Sequence, residues 1–410
     1  MYVNGIINTT MNLAIVSPYP PSITGIGQYG YHVSHLLAKS GLFEHVSVLT
    51  SQSERNKVPP CPPGIDLRLV WQPESLTSSL KIISELQRLQ PDLVWFNLGA
   101  SIFGRSPLAN LAGFFSPLLT RWMGFPTVVT LHEMVELADL QALKSPGGPL
   151  APLGAHLLTQ IALQADVICL TMQRYVDWLA KHYRDKRSIH IPIGAYHTPE
   201  RLPSSPKQTR EILFFTTLAP YKGLEILLEA FKSLRGEYPD LELTIAGAAH
   251  PRFPDYAEAL KNATSQIIGI RWLGQVPETQ IRDLFQQSQI VCIPYTASTG
   301  SSSVLYQAAM WGRAIIASDL VETQTIARES NLQVSFFKNG SSAGLANALK
   351  KLLDSPELQA SQVARNIAAI QRTRPEETCQ AYLRAFNLAL ETRGSPKRLF
   401  IPSQVKQESA

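Results

Sequence analysis

Four short stretches combine residue types that bind anions or handle protons. "SPYPPSITGIGQYGYHV" places Gly25, Gly27 and Gly30 where a helix should open. Glycines there let backbone N–H groups approach an anion at the helix N-terminus. "VVTLHE" ends an apolar run on His132 and Glu133, where a histidine either satisfies a structural hydrogen bond or meets a ligand. "APYKG" sets Lys222 and Gly223 at another helix start, where an ammonium can meet a phosphate. The fourth, "TASTGSSSVLYQAAMWGRAIIASD", places Gly300, Ser301, Ser302 and Ser303 ahead of a third helix, with no carboxylate until Asp319. Three anion-friendly sites and a histidine predict a diphosphate held in a cleft.

These stretches all follow apolar, β-rich runs. In the first half the runs are 13–17, 46–50, 66–71, 92–97, 127–132 and 166–171; in the second they are 212–218, 241–247, 270–274, 290–295, 314–319 and 333–337. Most are continuously apolar rather than alternating, as strands covered on both faces by helices are. Between them lie amphipathic stretches. Tyr29, Val33, Leu36 and Leu37 share one helical face, as do Leu224, Leu227, Leu228 and Phe231. The Pro- and Ser-rich segment 197–210 reads as a linker. The pattern predicts two doubly wound α/β domains, 11–198 and 211–375, with ligands beyond the carboxyl ends of their strands. A last helix is expected over 376–393, followed by a loose polar tail over 394–410.

In order and spacing this succession resembles the retaining, nucleotide-sugar-dependent glycosyltransferases of family 4, over about residues 11–390. The resemblance rests on Gly25-Ile26-Gly27, "VVTLHE" and "IPIGAY" in the first half. In the second half it rests on "FFTTLAPYKGLEILLEAF", "LTIAG", "IRWLGQVPETQIRDLFQQSQIVCIPY" and "QAAMWGRAIIASD". It implies the GT-B fold: two Rossmann-like domains facing a central cleft, with helix 376–393 crossing back to the first. It further implies His132 and Lys222 as catalytic residues, facing each other across the cleft and meeting the donor's sugar and diphosphate. Gly25, Gly27, Thr217, Gly223, Thr299, Gly300, Ser301, Ser302, Ser303 and Gln307 would contact the donor. The chain also departs from the family. A usual Gly-Arg is Thr216-Thr217, Pro-Asn-Gly is Pro192-Ile193-Gly194, and a pair of motif glutamates is Thr299 and Gln307. Gln307 can still hydrogen-bond a ribose hydroxyl through its amide.

The implied reaction is a retaining front-face transfer from a UDP- or GDP-linked sugar to a glycan or lipid-linked acceptor, as in polysaccharide assembly. It asks the protein for positioning and for charge on the leaving group. No Asp-x-Asp pair is present, so a metal clamp on the diphosphate and a separate cofactor are not expected. Two other readings stand beside this one: a degenerate sugar-nucleotide-binding subunit partnering an active transferase, and a sugar-nucleotide epimerase of the same fold. A dehydrogenase is disfavoured, because "GIGQYG" follows its strand too late and the second strand closes on Thr50 rather than on an acid.

The net charge of +5 suits a phosphate-bearing ligand or an anionic membrane surface. No basic run interleaved with aromatics argues for nucleic acid. The four cysteines show no metal-ligand spacing, and Cys169 and Cys292 sit in strand-like runs as buried thiols, consistent with a reducing cytoplasm. "MYVNGIINTT" lacks the character of a secretory leader. No apolar run is long enough to span a bilayer. In "LANLAGFFSPLLTRWMGFPTVV", Phe114, Phe115, Leu118, Leu119 and Trp122 line one helical face, which packs on the sheet or lies on a membrane at the inner, cytoplasmic side.

Overall fold

The computed structural model describes residues 11–20, 24–52, 63–144, 148–184, 187–198, 210–298, 300–399 and 401. The first half runs β1 (Met11–Val16), α1 (Gly25–Lys39), β2 (Phe43–Ser51), β3 (Ile65–Trp71), α2 (Ser78–Leu89) and β4 (Leu93–Leu98). It continues through α3 (Pro107–Trp122), β5 (Thr127–Leu131), α4 (Ala151–Ala162), β6 (Val167–Leu170), α5 (Gln173–Tyr183) and β7 (Ser188–His190). Its seven strands form one sheet in the order β3-β2-β1-β4-β5-β6-β7, and the paired neighbours run parallel.

The second half repeats the plan with β8 (Glu211–Phe215), α6 (Leu224–Leu234), β9 (Glu242–Ala246), α7 (Tyr256–Ala263), β10 (Ile270–Gly274) and α8 (Glu278–Gln287). Then come β11 (Ile290–Ile293), α9 (Ser303–Met310), β12 (Ala314–Ser318), α10 (Val321–Glu329), β13 (Ser335–Phe337), α11 (Ser342–Leu353) and α12 (Pro356–Ile370). Its six-stranded sheet has the order β10-β9-β8-β11-β12-β13. In each sheet the order reverses beside its first strand, which opens a crevice at the strands' carboxyl ends. The continuous apolar character of β4, β5, β6 and β11 is matched by complete burial, as both-face coverage requires.

Helix α13 (Pro375–Thr392) packs on the first half. Its Tyr382 hydroxyl lies 2.8 Å from that of Tyr29 and 2.9 Å from Thr130 Oγ1, and its ring lies 4.6 Å from the Trp95 ring. Just beyond the helix, Arg393 Nε donates to the buried Asp166 carboxylate at 3.0 Å, which Arg121 also meets at 2.9 Å. Residues 395–399 of the expected loose tail are held in place. Lys397 pairs with Asp92 at 2.6 Å, Asn387 Nδ2 donates to the Leu399 carbonyl, and Leu399 is buried. Residues 402–410 of that tail, and 199–209 of the expected linker, lie outside the described residues. Strand β7 is absent from the apolar runs of the sequence; it is three half-buried residues at a sheet edge, too short to carry a pattern. Cys169 and Cys292 are buried free thiols, as expected; Cys61 lies outside the described residues.

Candidate functional site

The loops after β5 and β11 bring the two halves into backbone contact. Glu133 and Gly300 form an isolated antiparallel bridge. A Cβ on Gly300 would overlap the His132 carbonyl oxygen, so the junction requires a glycine. The sequence suggests instead that a ligand approaches the Gly300 backbone; here its close neighbour is the facing loop.

His132 is buried behind this junction rather than open at its mouth. Its Nε2 lies 2.6 Å from Asn97 Oδ1. Asn97 spends its amide hydrogens on Ser17 Oγ (2.9 Å) and the Ile26 carbonyl (3.0 Å), while the Ser17 hydroxyl donates to the Pro18 carbonyl. The network therefore assigns the proton to His132 Nε2 and leaves Nδ1 as an acceptor. Burial pushes the imidazole pKa down to about 3, so the ring is neutral near pH 7 and can accept a hydroxyl hydrogen without acting as an acid. Gly30 lacks a side chain because Ser17 and Asn97 occupy that space.

Burial likewise lowers His250 to about 4, with Arg252, Lys222 and Arg105 adding repulsion. These folded-state values lie below the ordinary histidine value, so below about pH 6.5 the unfolded chain binds more protons than the folded one. Stability should fall on acidification, and His132 alone contributes a slope of roughly 1.4 kcal/mol per pH unit between its two values. Urea unfolding at pH 7 and pH 5 checks this; His132→Asn should reduce the difference between the two.

Lys222 ends a short 3₁₀ turn, Pro220–Lys222, after β8. Its Nζ stands 3.9 Å from the Tyr295 ring centroid and 5.6 Å from that of Tyr221. Among the described residues no carboxylate pairs with it within 4 Å. Burial lowers its pKa to about 8, opposed by the negative charge of Glu133. It is a partly desolvated cation, stacked but not neutralised, which favours an incoming anion. Gly223 adopts φ 69°, and a Cβ there would overlap the Pro294 carbonyl. Gly223→Ala should cost about 1–2 kcal/mol for the left-handed backbone alone, plus the overlap. Its thermal midpoint should drop by about 5 °C or more, measured by calorimetry. Thr217 is half-buried between Thr216 and Leu218, whose amides are tied to the carbonyls of Ala246 and Ala248.

The N-termini of α1 and α9 meet. A Cβ on Gly25 would stand 3.6 Å from Ser303 Oγ, and Thr24 caps α1 by accepting from the Gly27 amide at 2.9 Å. Ser302 is the α9 cap residue, and Ser301 precedes it beside the Gly300 bridge. Gln307 is buried with the rest of α9, and its Nε2 donates to Gln28 Oε1 at 3.3 Å, an engagement the sequence does not reveal. Thr299 lies outside the described residues.

The structure adds further participants. Glu133 accepts from the Ala100 amide at 3.1 Å. Beside it, a cavity of about 20 Å³ lined by Gly99, Ala100, Phe114 and Leu158 has room for about one water. Arg252 spans the halves, donating to the carbonyls of Leu143 and Lys144 at 3.2 Å. The N-termini of α1 and α9 thus meet at the junction, and Lys222, stacked on Tyr295, has Glu133 as its neighbouring negative charge.

Two family models match this chain: "Glycosyl transferase 4-like domain" over residues 24–194 and "Glycosyl transferases group 1" over residues 209–355. The phosphatidyl-myo-inositol mannosyltransferase of Mycobacterium tuberculosis is 27% identical over 194 residues, 45% of this chain and 50% of that protein. Its counterpart from Mycolicibacterium smegmatis is 25% identical over 184 residues, 44% of this chain and 46% of its own length. The matched region spans about half the length of these curated relatives. Among solved structures, sucrose-phosphate synthase from Thermosynechococcus elongatus superposes with a TM-score of 0.69 at 16% identity, covering 92% of this chain and 99% of that one. Anabaena Alr3699/HepE in complex with UDP and glucose gives 0.68 at 16% identity, covering 91% and 98%. WaaG, a glycosyltransferase involved in lipopolysaccharide biosynthesis, gives 0.63 at 16% identity, covering 90% and 98%. These superpositions establish the GT-B arrangement of the two Rossmann-like halves.

Proposed function

The chain belongs to the group 1 glycosyl transferases, and we propose that it moves a hexosyl unit from a UDP- or GDP-linked sugar to a glycan or lipid-linked acceptor with retention of configuration. The observation that carries this reading is Lys222, a cation stacked on Tyr295 with no carboxylate within 4 Å among the described residues, together with the meeting N-termini of α1 and α9. The donor diphosphate lies against Lys222 and the amides at Ser301–Ser303, with Gly25 and Gly27 on the opposite side. Thr217 and Gly223 shape the near wall, and His132 Nδ1 accepts a sugar hydroxyl. As the anomeric carbon–oxygen bond to the diphosphate breaks, the acceptor oxygen bonds that carbon on the same face. The acceptor proton passes to the departing diphosphate oxygen. Lys222 and the helix N-termini stabilise the charge that develops there. No protein carboxylate is needed as a base.

Release of nucleoside diphosphate from UDP- and GDP-hexoses, with and without glycolipid or glycan acceptors, tests the reaction. The anomeric configuration of the product, read by NMR, tests retention. A specific observation favours a second reading. Gln307 is already bonded to Gln28 and the other motif position is a threonine, as suits a sugar-nucleotide-binding subunit. That reading requires donor binding without release under every acceptor condition.

A lipid-linked acceptor is supported by the surface of α3 and α4, which pack together and leave Leu108, Trp122, Leu153 and Leu157 exposed. Trp122 alone is 72% exposed. Among the described residues no helix is long and apolar enough to cross a membrane, so contact would be peripheral, at the inner face. Trp122→Glu should reduce co-sedimentation with anionic phospholipid vesicles several-fold, by lost apolar burial and added repulsion. Donor binding should be unchanged in the same variant.

A further inference from the structure

At the seam between the halves, away from Lys222, three potential metal ligands converge from three elements. His32 comes from α1, His197 from the segment after β7, and Glu278 from the first turn of α8. One ligand atom from each lies within 4.8 Å of the other two. We propose that this seam binds one divalent transition-metal ion of the zinc type, through His32 Nε2, a ring nitrogen of His197 and the Glu278 carboxylate, with water completing the shell.

Two imidazoles and one carboxylate form a donor set that suits zinc and its neighbours rather than magnesium or calcium, which take oxygen ligands. Zinc bonds of about 2.0–2.1 Å place tetrahedral ligand atoms roughly 3.3 Å apart, so separations within 4.8 Å need contract by no more than about 1.5 Å. His32 is the fixed member: it is buried, stacked on Tyr196 at 4.4 Å and edge-on to Tyr31 at 5.2 Å. Glu278 already approaches it at 2.8 Å, and binding exchanges that hydrogen bond for two bonds to the ion. His197 and Glu278 are both exposed, and the His197 ring already stands edge-on to His32 at 4.9 Å. Gln28 Nε2 holds the second Glu278 oxygen at 2.9 Å, the kind of outer hydrogen bond that orients a metal-ligating carboxylate. Arg282, 5.7 Å from the Trp311 ring centroid, and Lys39 are the opposing positive charges near His197.

Such an ion ties the first half, the connecting segment and the second half at one point. Through Gln28 it also reaches Gln307. The inference does not depend on which reaction the cleft performs.

The test uses the full chain without a histidine tag, stripped with EDTA and titrated with ZnCl₂ by calorimetry and with cobalt(II) by visible absorption. Expected are one ion per chain, a cobalt d–d spectrum of a low-coordinate nitrogen and oxygen site, and no competition from MgCl₂. Zinc should raise the thermal midpoint of the wild type. His197→Asn and Glu278→Gln, both at exposed positions, should weaken zinc binding by about tenfold or more and remove that shift. No stoichiometric uptake by the wild type, or equal uptake by both variants, overturns the proposal.

Discussion

Lys222→Ala is expected to lower donor-dependent turnover about 100- to 1,000-fold, the usual consequence of losing one preorganised charge at a developing anion. Donor affinity should fall roughly ten- to a hundred-fold, because charge-assisted hydrogen bonds contribute about 1.5–3 kcal/mol. The fold should survive: Lys222 makes no ion pair within 4 Å among the described residues, and its removal relieves the burial that lowers its pKa. The same pKa predicts a pH profile. The free protein holds Lys222 charged below about pH 8 and loses that charge above it, so kcat/KM should decline on the alkaline side with one proton. Bound diphosphate stabilises the charged form, so kcat should decline at higher pH than kcat/KM. Equal donor binding by the wild type and Lys222→Ala would remove the diphosphate role from this residue. A His132 variant should keep the alkaline limb, since that ring is neutral throughout the range and Lys222 is untouched.

The strands and the crevice were legible because they depend on local pattern. Apolar runs marked every strand among the described residues except β7, and the loops that follow β5 and β11 meet. The glycines at the start of α1 and the Gly-Ser-Ser-Ser run at the start of α9 were also visible. What the sequence could not show are contacts between residues far apart in the chain. Nothing near Gln28 announces that it joins Gln307 to Glu278, or that Glu278 meets His32 across 246 positions. Burial of His132 against Asn97 is equally invisible, since a histidine at a strand end reads alike whether it faces a ligand or its own domain. Arg252 was overlooked because a surface arginine has no periodic signature; only the fold brings it to the carbonyls of Leu143 and Lys144.

Gly300 carries the second large effect, for a reason different from a donor pressing on its backbone. Valine at this position places Cβ into the His132 carbonyl oxygen, and backbone on both sides prevents either partner from yielding cheaply. The bridge between Glu133 and Gly300 must then open. Overpacking of this kind costs about 1–3 kcal/mol or more. Because the overlap lies between the halves, each sheet can keep its own core while the junction spreads, unlike Gly223→Ala, whose overlap with Pro294 lies within the second half. If the donor binds only the joined arrangement, that cost appears as a ten- to roughly hundred-fold loss of donor affinity. The radius of gyration in solution should increase while the far-ultraviolet dichroism stays unchanged. Thr299→Glu, one residue earlier, introduces the carboxylate usual at this position in the family, and it should preserve affinity or alter sugar preference. Normal donor affinity in Gly300→Val, measured by calorimetry beside solution scattering, would mean that the junction is not part of the donor-binding state.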